Sequence, residues 1–220
     1  MPYRFPRRVA VCMVANQAIF LDTGRDRYFS VGGAAAQAVQ ALLEQRPAHE
    51  GQLGKLVQAG LVETGEPHAP TPTRQTATPT RSLVEEGDGR PAGGIGPLLE
   101  ATVSLIRARH DVKRQPLASI IDGLVSRKAS SKCRPGSVSE AHVALAATFN
   151  AARRLAPVKP SCLPDSLALL TCLARRDLAA DLVFGVKLHP FSAHCWVQAG
   201  DLVLNDAIDQ VTVHTPILVV

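Results

Sequence analysis

Aromatic side chains are scarce in this sequence: one Trp, two Tyr and six Phe make up 4% of the chain. That leaves little to stack on nucleobases. The 24 Lys and Arg against 19 Asp and Glu, a net charge of +5, are scattered rather than gathered into a block. Single-stranded nucleic acid is held by stacking in a basic groove, so this composition fits a solvated surface and no nucleic-acid partner. No apolar run approaches the roughly 18 to 20 residues of a membrane-spanning helix, and no membrane partner is expected. Arg4, Arg7 and Arg8 ahead of the apolar run 9–15 imitate a secretory signal. The run is at the short limit, though, and Ile19-Phe20-Leu21 follows with no small-x-small cleavage pattern between. The expectation is a cytoplasmic protein. The five cysteines (Cys12, Cys133, Cys162, Cys172 and Cys195) are odd in number and irregularly spaced, with no Cys-x-x-Cys pair. A disulfide scaffold and a structural zinc site both lose support, and most of these thiols should be buried and inert. A phosphate-binding loop is missing too. Gly51-Gln52-Leu53-Gly54-Lys55 has the wrong spacing and Gly93-Gly94-Ile95-Gly96 lacks the lysine, so no motif holds a cofactor.

What is present divides the chain in three. Residues 8–30 read as strands: Val9, Val11 and Met13 alternate with Ala10 and Cys12, Asn16-Gln17 makes a turn, 19–22 a second strand, Gly24-Arg25-Asp26 a turn and 28–31 a third strand. Ala36, Val39, Leu42 and Leu43 then fall at helical spacing, and a second helix carries Leu53, Leu56 and Val57 before stopping near Gly60. Residues 1–65 thus make a small three-stranded, winged-helix-like unit. From 66 to 97, Pro67, Pro70, Pro72, Pro79 and Pro91 sit among Thr, Gly and charged residues, a composition expected to form a flexible linker. Residues 98–220 form the second unit. Helical faces such as Leu98, Leu99, Val103 and Ile106, then Leu117, Ile120, Ile121 and Leu124, precede helices at 138–155 and 162–176. Strands follow at 182–188, 193–199 and 202–205. Helices followed by a small antiparallel sheet make an α+β domain.

Chemistry concentrates in that second unit. A cysteine nucleophile acts as the thiolate, which a helix N-terminus favours through the positive end of its dipole. Cys162 is the one cysteine placed there: Pro160 ends the preceding segment, Ser161 can cap, and an apolar-periodic helix follows. Cys172 lies ten residues further into the same helix and points elsewhere. His194 is the best-placed base. On its strand it shares a face with Trp196, whereas Cys195 points to the opposite face and reads as core. Trp196 reads first as packing, with shielding of the site from water as the second role. Asp206, twelve residues after His194 across a hairpin near Gly200, can orient the imidazole. A two-residue Gly200-Asp201 turn would put residue 195 opposite 206 and His194 on the wrong face. Bringing His194 to Asp206 therefore requires an odd turn, a bulge or a bend at Asn205.

The run Cys162-Leu163-Pro164-Asp165-Ser166-Leu167-Ala168-Leu169, then Phe184-Gly185-Val186, Pro190-Phe191-Ser192-Ala193-His194-Cys195-Trp196-Val197 and Val203-Leu204-Asn205-Asp206 resembles the maturation proteases of lasso-peptide biosynthesis, the B proteins. Those are transglutaminase-like, papain-like cysteine peptidases. The resemblance implies Cys162 as nucleophile, His194 as general base and acid, and Asp206 as the orienting carboxylate. Two positions depart from the pattern: Cys195 stands where a small residue such as Ala is common, and Asp165 where a basic residue is common. No glutamine sits shortly upstream of Cys162, where papain-type enzymes carry an oxyanion donor, which leaves the Cys162 amide. Ala18-Ile19-Phe20-Leu21-Asp22, Asp26-Arg27-Tyr28-Phe29 and Leu56-Val57-Gln58-Ala59-Gly60-Leu61-Val62 resemble the peptide-recognition element of peptide-modifying pathways, a skeleton that also fits winged-helix DNA binders. The resemblance implies that a leader peptide adds as a strand beside the third strand, with Arg25, Arg27, Tyr28 and Phe29 as leader-binding residues. It also implies a precursor peptide as substrate, an ATP-dependent, asparagine-synthetase-like lasso cyclase as partner, and ATP dependence through some feature other than a Walker motif. A transglutaminase-type acyltransferase, a non-catalytic peptide- or DNA-binding module and a Cys/His metal site stay open at this point.

Overall fold

The N-terminal runs of β-branched residues, punctuated by turn signals, become a three-stranded antiparallel meander. The computed structural model describes residues 3–65, 76–87, 94–130, 138–156 and 158–220. A short β1 (Tyr3–Arg4) leads into β2 (Val9–Val14), β3 (Gln17–Asp22) and β4 (Arg27–Val31), with β3 in the middle. Ala15 and Asn16 form the two-residue turn between β2 and β3, both at positive φ (46° and 65°), the geometry that matches strand twist in a tight hairpin. Next come α1 (Gly33–Leu43), α2 (Glu50–Gln58) and β5 (Glu63–Thr64), which pairs back with β1. Period-two alternation splits β3 between two cores. Ala18 and Phe20 pack with Val39, Leu53 and Leu56 of the two helices, whereas the fully buried Ile19 and Leu21 face the other way.

The remainder runs β6 (Arg81–Ser82), α3 (Leu83–Glu86), α4 (Ile95–Arg114), α5 (Leu117–Ser130), α6 (Glu140–Leu155), α7 (Cys162–Ala174), β7 (Asp181–Lys187), β8 (Ser192–Ala199), β9 (Leu202–Val203), α8 (Ile208–Thr212) and β10 (Thr215–Val219). Five strands form one sheet in the order β10-β7-β8-β9-β6, antiparallel except that β6 lies parallel to β9. Helix α7 is wedged between α4 and α6 on one side and β7 and β8 on the other. That explains why eight of its side chains, from Pro164 to Leu173, are buried on every face. The architecture is α+β, as the order of helical and strand periodicities predicts.

Two expectations are corrected. The flexible linker over 66–97 does not extend through 76–87: Arg81 and Ser82 pair with Leu202 and Val203, and Leu83 is 4% exposed in the main core. Leu83 supplies the apolar anchor that the surrounding Pro- and Thr-rich composition hides. Residues 66–75 and 88–93 lie outside the described residues, and α4 already begins at Ile95. The second correction concerns separate cores. The sheet face carrying Ile19 and Leu21 belongs to the same core as α7 and β8, with Ala10, Cys12, Val14 and Tyr28 packed against it. Ala118 at the start of α5 donates its N–H to the Thr23 carbonyl across 3.1 Å. The strand β10 and the helix α8 carry no sequence expectation; their register depends on pairing with β7.

Leu83→Ala should lower stability by about 2–4 kcal/mol, the cost of emptying a buried leucine site. Urea denaturation followed by circular dichroism measures this; a residue on a free linker would leave the midpoint unchanged.

Candidate active site

The helix dipole and the segment entering α7 fix one sulfur in space. Cys162 is the first residue of α7, behind Ser161 in extended conformation (φ −154°, ψ 122°). The Ser161 hydroxyl makes no capping bond. Instead the carboxylate of Asp165 reaches back, its Oδ2 accepting from the Ser161 N–H at 3.0 Å and from Arg153 Nε at 2.8 Å. Arg153 also donates to the Val158 carbonyl, and Arg109 donates to the Lys159 carbonyl. Two arginines on α6 and α4 thus clamp the strand of chain that delivers Cys162. This gives Asp165, where a basic residue is common in the resembling family, a structural duty.

The strand β8 brings the imidazole. His194 Nε2 lies 2.5 Å from Asp206 Oδ2, which leaves Nδ1 for the hydrogen bond it makes with Cys162. The sulfur is also bonded by the Cys195 side chain and by the Cys195 backbone N–H. Cys195 therefore does more than fill the core: 2% exposed, it touches the sulfur. Helix α7 packs on the face of β8 that Cys195 occupies, which the alternation rule by itself does not reveal.

These contacts set the protonation states. The Cys195 hydrogen bond, then the hydrogen bond and charge of His194, outweigh burial and bring the Cys162 thiol down to about 4. Bonds to Asp206 and Cys162 lift His194 to about 9 despite burial. Cys195 is pushed well above the ordinary thiol value by its bond to Cys162 and by burial, so it stays protonated and acts as donor. Between those limits the pair exists as thiolate and imidazolium, the state a cysteine nucleophile needs. Burial alone pushes Cys12 up to about 12. Cys172 is raised too, chiefly by burial, and donates to Ser104. Cys133 lies outside the described residues.

The register question has a definite answer. Gln198 pairs with Val203 and Ala199 with Leu202, so the turn is the two residues Gly200-Asp201. The ladder continues through Leu204 N–H to the Val197 carbonyl, and the chain then bends at 204–206. At the bend, Asn205 replaces the missing ladder partner: its Oδ1 accepts from the Val197 N–H at 2.8 Å and its Nδ2 donates to Ser166 Oγ at 3.0 Å. Asn150 donates to the Leu204 carbonyl and Ser82 to the Asp206 carbonyl at 2.6 Å. Asp206 is thereby swung to His194, by the bend at Asn205 that the face count required.

Trp196, read from the sequence as sharing the His194 face, backs the imidazole together with His214, which the sequence did not mark. His214 lies 5.4 Å from His194 between ring centroids, and Trp196 stacks on it at 6.2 Å and 26°. His214 is itself fixed by Ser192 and the Gln210 carbonyl, and Trp196 donates to Gln198. Gly185, directly opposite His194 on β7, makes room for this stack: a Cβ there would sit 2.8 Å from the Trp196 ring and 2.9 Å from His214 Cβ. The Phe184-Gly185-Val186 run carried the signal for Gly185. Nothing in the sequence marked Ser82 or His214.

Of the four N-terminal candidates, Tyr28 and Phe29 point to opposite faces of β4, Phe29 into the N-terminal core and Tyr28 toward the core that holds Cys162. Arg25 pairs with Asp22 at 3.3 Å in the β3–β4 turn, and Arg27 is exposed on β4. Among the described residues no group of His, Cys, Asp and Glu is arranged to hold a metal ion. No helix is long and apolar enough to cross a membrane.

A family model described as "Transglutaminase-like superfamily" matches residues 102–219, more than half of the chain. The chain belongs to that superfamily. The matched span runs from α4 through β10 and contains Cys162, His194 and Asp206. Among curated proteins, this transglutaminase-like chain is similar to the Microcin J25-processing protein McjB of Escherichia coli, 47% identical over 49 residues. That match spans 22% of this chain and 24% of the relative, well short of its full length. No solved structure matches the chain.

Cys162 should titrate as a thiolate near pH 4, followed by absorbance near the thiolate band or by iodoacetamide reactivity. His194→Ala should move that midpoint back toward the ordinary thiol range of about 8–9. Gly185→Ala should cost about 1–3 kcal/mol through overpacking and slow alkylation at neutral pH, because the rings that seat His194 must shift.

Proposed function

We propose that this chain is the leader peptidase of lasso-peptide biosynthesis, binding a precursor through its leader and hydrolysing the leader–core peptide bond. The observation that carries this reading is the hydrogen-bonded series Cys162, His194 and Asp206 at the start of α7. The partial similarity to a microcin-processing protein supports the precursor as substrate class.

The chemistry is acyl transfer to water. The Cys162 thiolate attacks the carbonyl carbon at the junction, forming a tetrahedral oxyanion to which the Cys162 backbone N–H at the helix start can donate. The imidazolium of His194 gives its proton to the departing amine, and the C–N bond breaks. Water then attacks the thioester while His194, now neutral, takes the water's proton. Leader carboxylate and thiolate are released. Asp206 holds the ring orientation and stabilises its charged form throughout. This sequence needs no cofactor from the chain itself.

The unit 1–65 is the recognition element and 98–220 the peptidase. β4 is an end strand of its sheet, so a leader can add beside it, its backbone bonded to β4 and Arg27 exposed to acidic leader residues. The freed core amine is then the substrate of an ATP-dependent cyclase, the partner that closes the ring. The compartment is the cytoplasm.

Incubation with the precursor peptide encoded beside this chain should give leader and core fragments whose masses sum to the precursor plus one water. A product that has instead lost ammonia would assign a transglutaminase reaction. Cys162→Ala should bind the leader with unchanged affinity yet leave the precursor whole, and His194→Ala should slow cleavage by about 10²–10⁴-fold. The rate should follow a bell in pH. It falls below about 4 as the sulfur gains a proton and above about 9 as His194 loses the one it must donate. A flat profile, or undiminished cutting by Cys162→Ala, would overturn the assignment.

A further inference from the structure

The peptidase reading leaves one pair unexplained: two aromatic rings from different halves of the chain meet at Phe191, three residues before His194. Tyr28 of β4 and Phe191, just before β8, lie 5.7 Å apart between centroids at 62°, an edge-to-face pair. Tyr28 packs against the core that contains Cys162. Burial, then charge on neighbours that include Asp26 and Cys162, raises its phenol above the ordinary value. Phe191 is 51% exposed, three residues before His194.

We propose that Tyr28 and Phe191 together form an aromatic subsite that seats the leader residues immediately preceding the scissile bond, so that the N-terminal unit supplies part of the cleavage site itself. This rests on the peptidase reading above. The geometry for it is simple. A peptide paired with the free edge of β4 alternates its side chains between the α1–α2 face and the face of Tyr28. Those on the Tyr28 side meet the two rings on the way to Cys162. The rings offer apolar area and one phenol O–H, while the ionised groups of the site, the Cys162 thiolate, the His194 imidazolium and the Asp206 carboxylate, leave a net negative charge. An acidic side chain is repelled there, and an uncharged one is accepted. The subsite holds substrate for attack and adds little to leader affinity, which comes from the backbone pairing along β4.

The test separates binding from cutting, using the full chain and the precursor peptide encoded beside it. Leader affinity is read by fluorescence anisotropy of a labelled leader peptide, and cleavage by single-turnover mass spectrometry with protein in excess. Tyr28→Ala and Phe191→Ala should each slow cleavage about ten-fold or more with leader Kd changed less than about two-fold, and the double variant should be no worse than the slower single, as coupled partners behave. Tyr28→Phe should keep most of the rate, and an acidic residue placed just before the cut should slow wild-type cleavage. Wild-type rates in Phe191→Ala, whose exposed position spares the fold, overturn the subsite and leave the peptidase standing. Affinity falling in step with cleavage makes Tyr28 an ordinary leader contact and also overturns it. A wild-type chain that leaves the precursor uncut overturns the peptidase reading and this inference with it.

Discussion

The placement of the Cys162 sulfur at the first residue of α7, pressed against β8, is the constraint on which the rest of the molecule depends. A thiolate at that point has the helix dipole behind it, a thiol and an N–H from Cys195 beside it, and an imidazolium in front. None of these survives a shift of a single turn in α7. The fold resists such a shift in two ways. α7 is apolar all round and enclosed by helices and sheet, and the chain entering it is held by Arg109, Arg153 and Asp165. Charge is thus spent on fixing where the helix begins, while hydrophobic burial fixes where it lies.

The imidazole is fixed by a different means. Its neighbours are themselves hydrogen-bonded: Trp196 stacks on the His194 ring at 26° and His214 lies tilted beside it at 41°. The absent side chain at Gly185 is what allows Trp196 and His214 to cross β7 at that level. Asp206 arrives through a bend whose three polar restraints come from Asn150, Asn205 and Ser82, on α6, the bend itself and β6. A short stretch embedded in Pro-rich sequence is therefore part of the support for the site: Arg81 and Ser82 pair with β9, and Ser82 and Leu83 are buried.

The N-terminal unit is joined to the transglutaminase-like domain by more than its covalent connection. Its sheet buries one face under α1 and α2 and the other in the core around α7, so the two halves share apolar surface. Tyr28 is one of the side chains packed into that shared core. Burial of both sheet faces holds the first unit against the second in a way a flexible tether would not.

By itself the sequence determined most of the elements and singled out Cys162, His194 and Asp206. Period-two runs at 9–31, helical periodicity from Leu98 to Cys172 and the proline stop before Cys162 are local signals, and the thiol at a helix start followed by a histidine strand and an aspartate is readable from order and spacing. That an odd turn, a bulge or a bend at Asn205 was needed was also legible, because strand alternation is a rigid rule; that it is the bend was decided by the fold. Only the tertiary structure decided which bend partners supply the missing bonds, that Cys195 meets the sulfur, that His214 backs His194, that Ser82 holds Asp206, and that both faces of the first sheet are buried. Each of these joins residues far apart in the chain through packing. Their energies depend on neighbours that no window of sequence contains, so a pattern of side-chain periodicity cannot encode them.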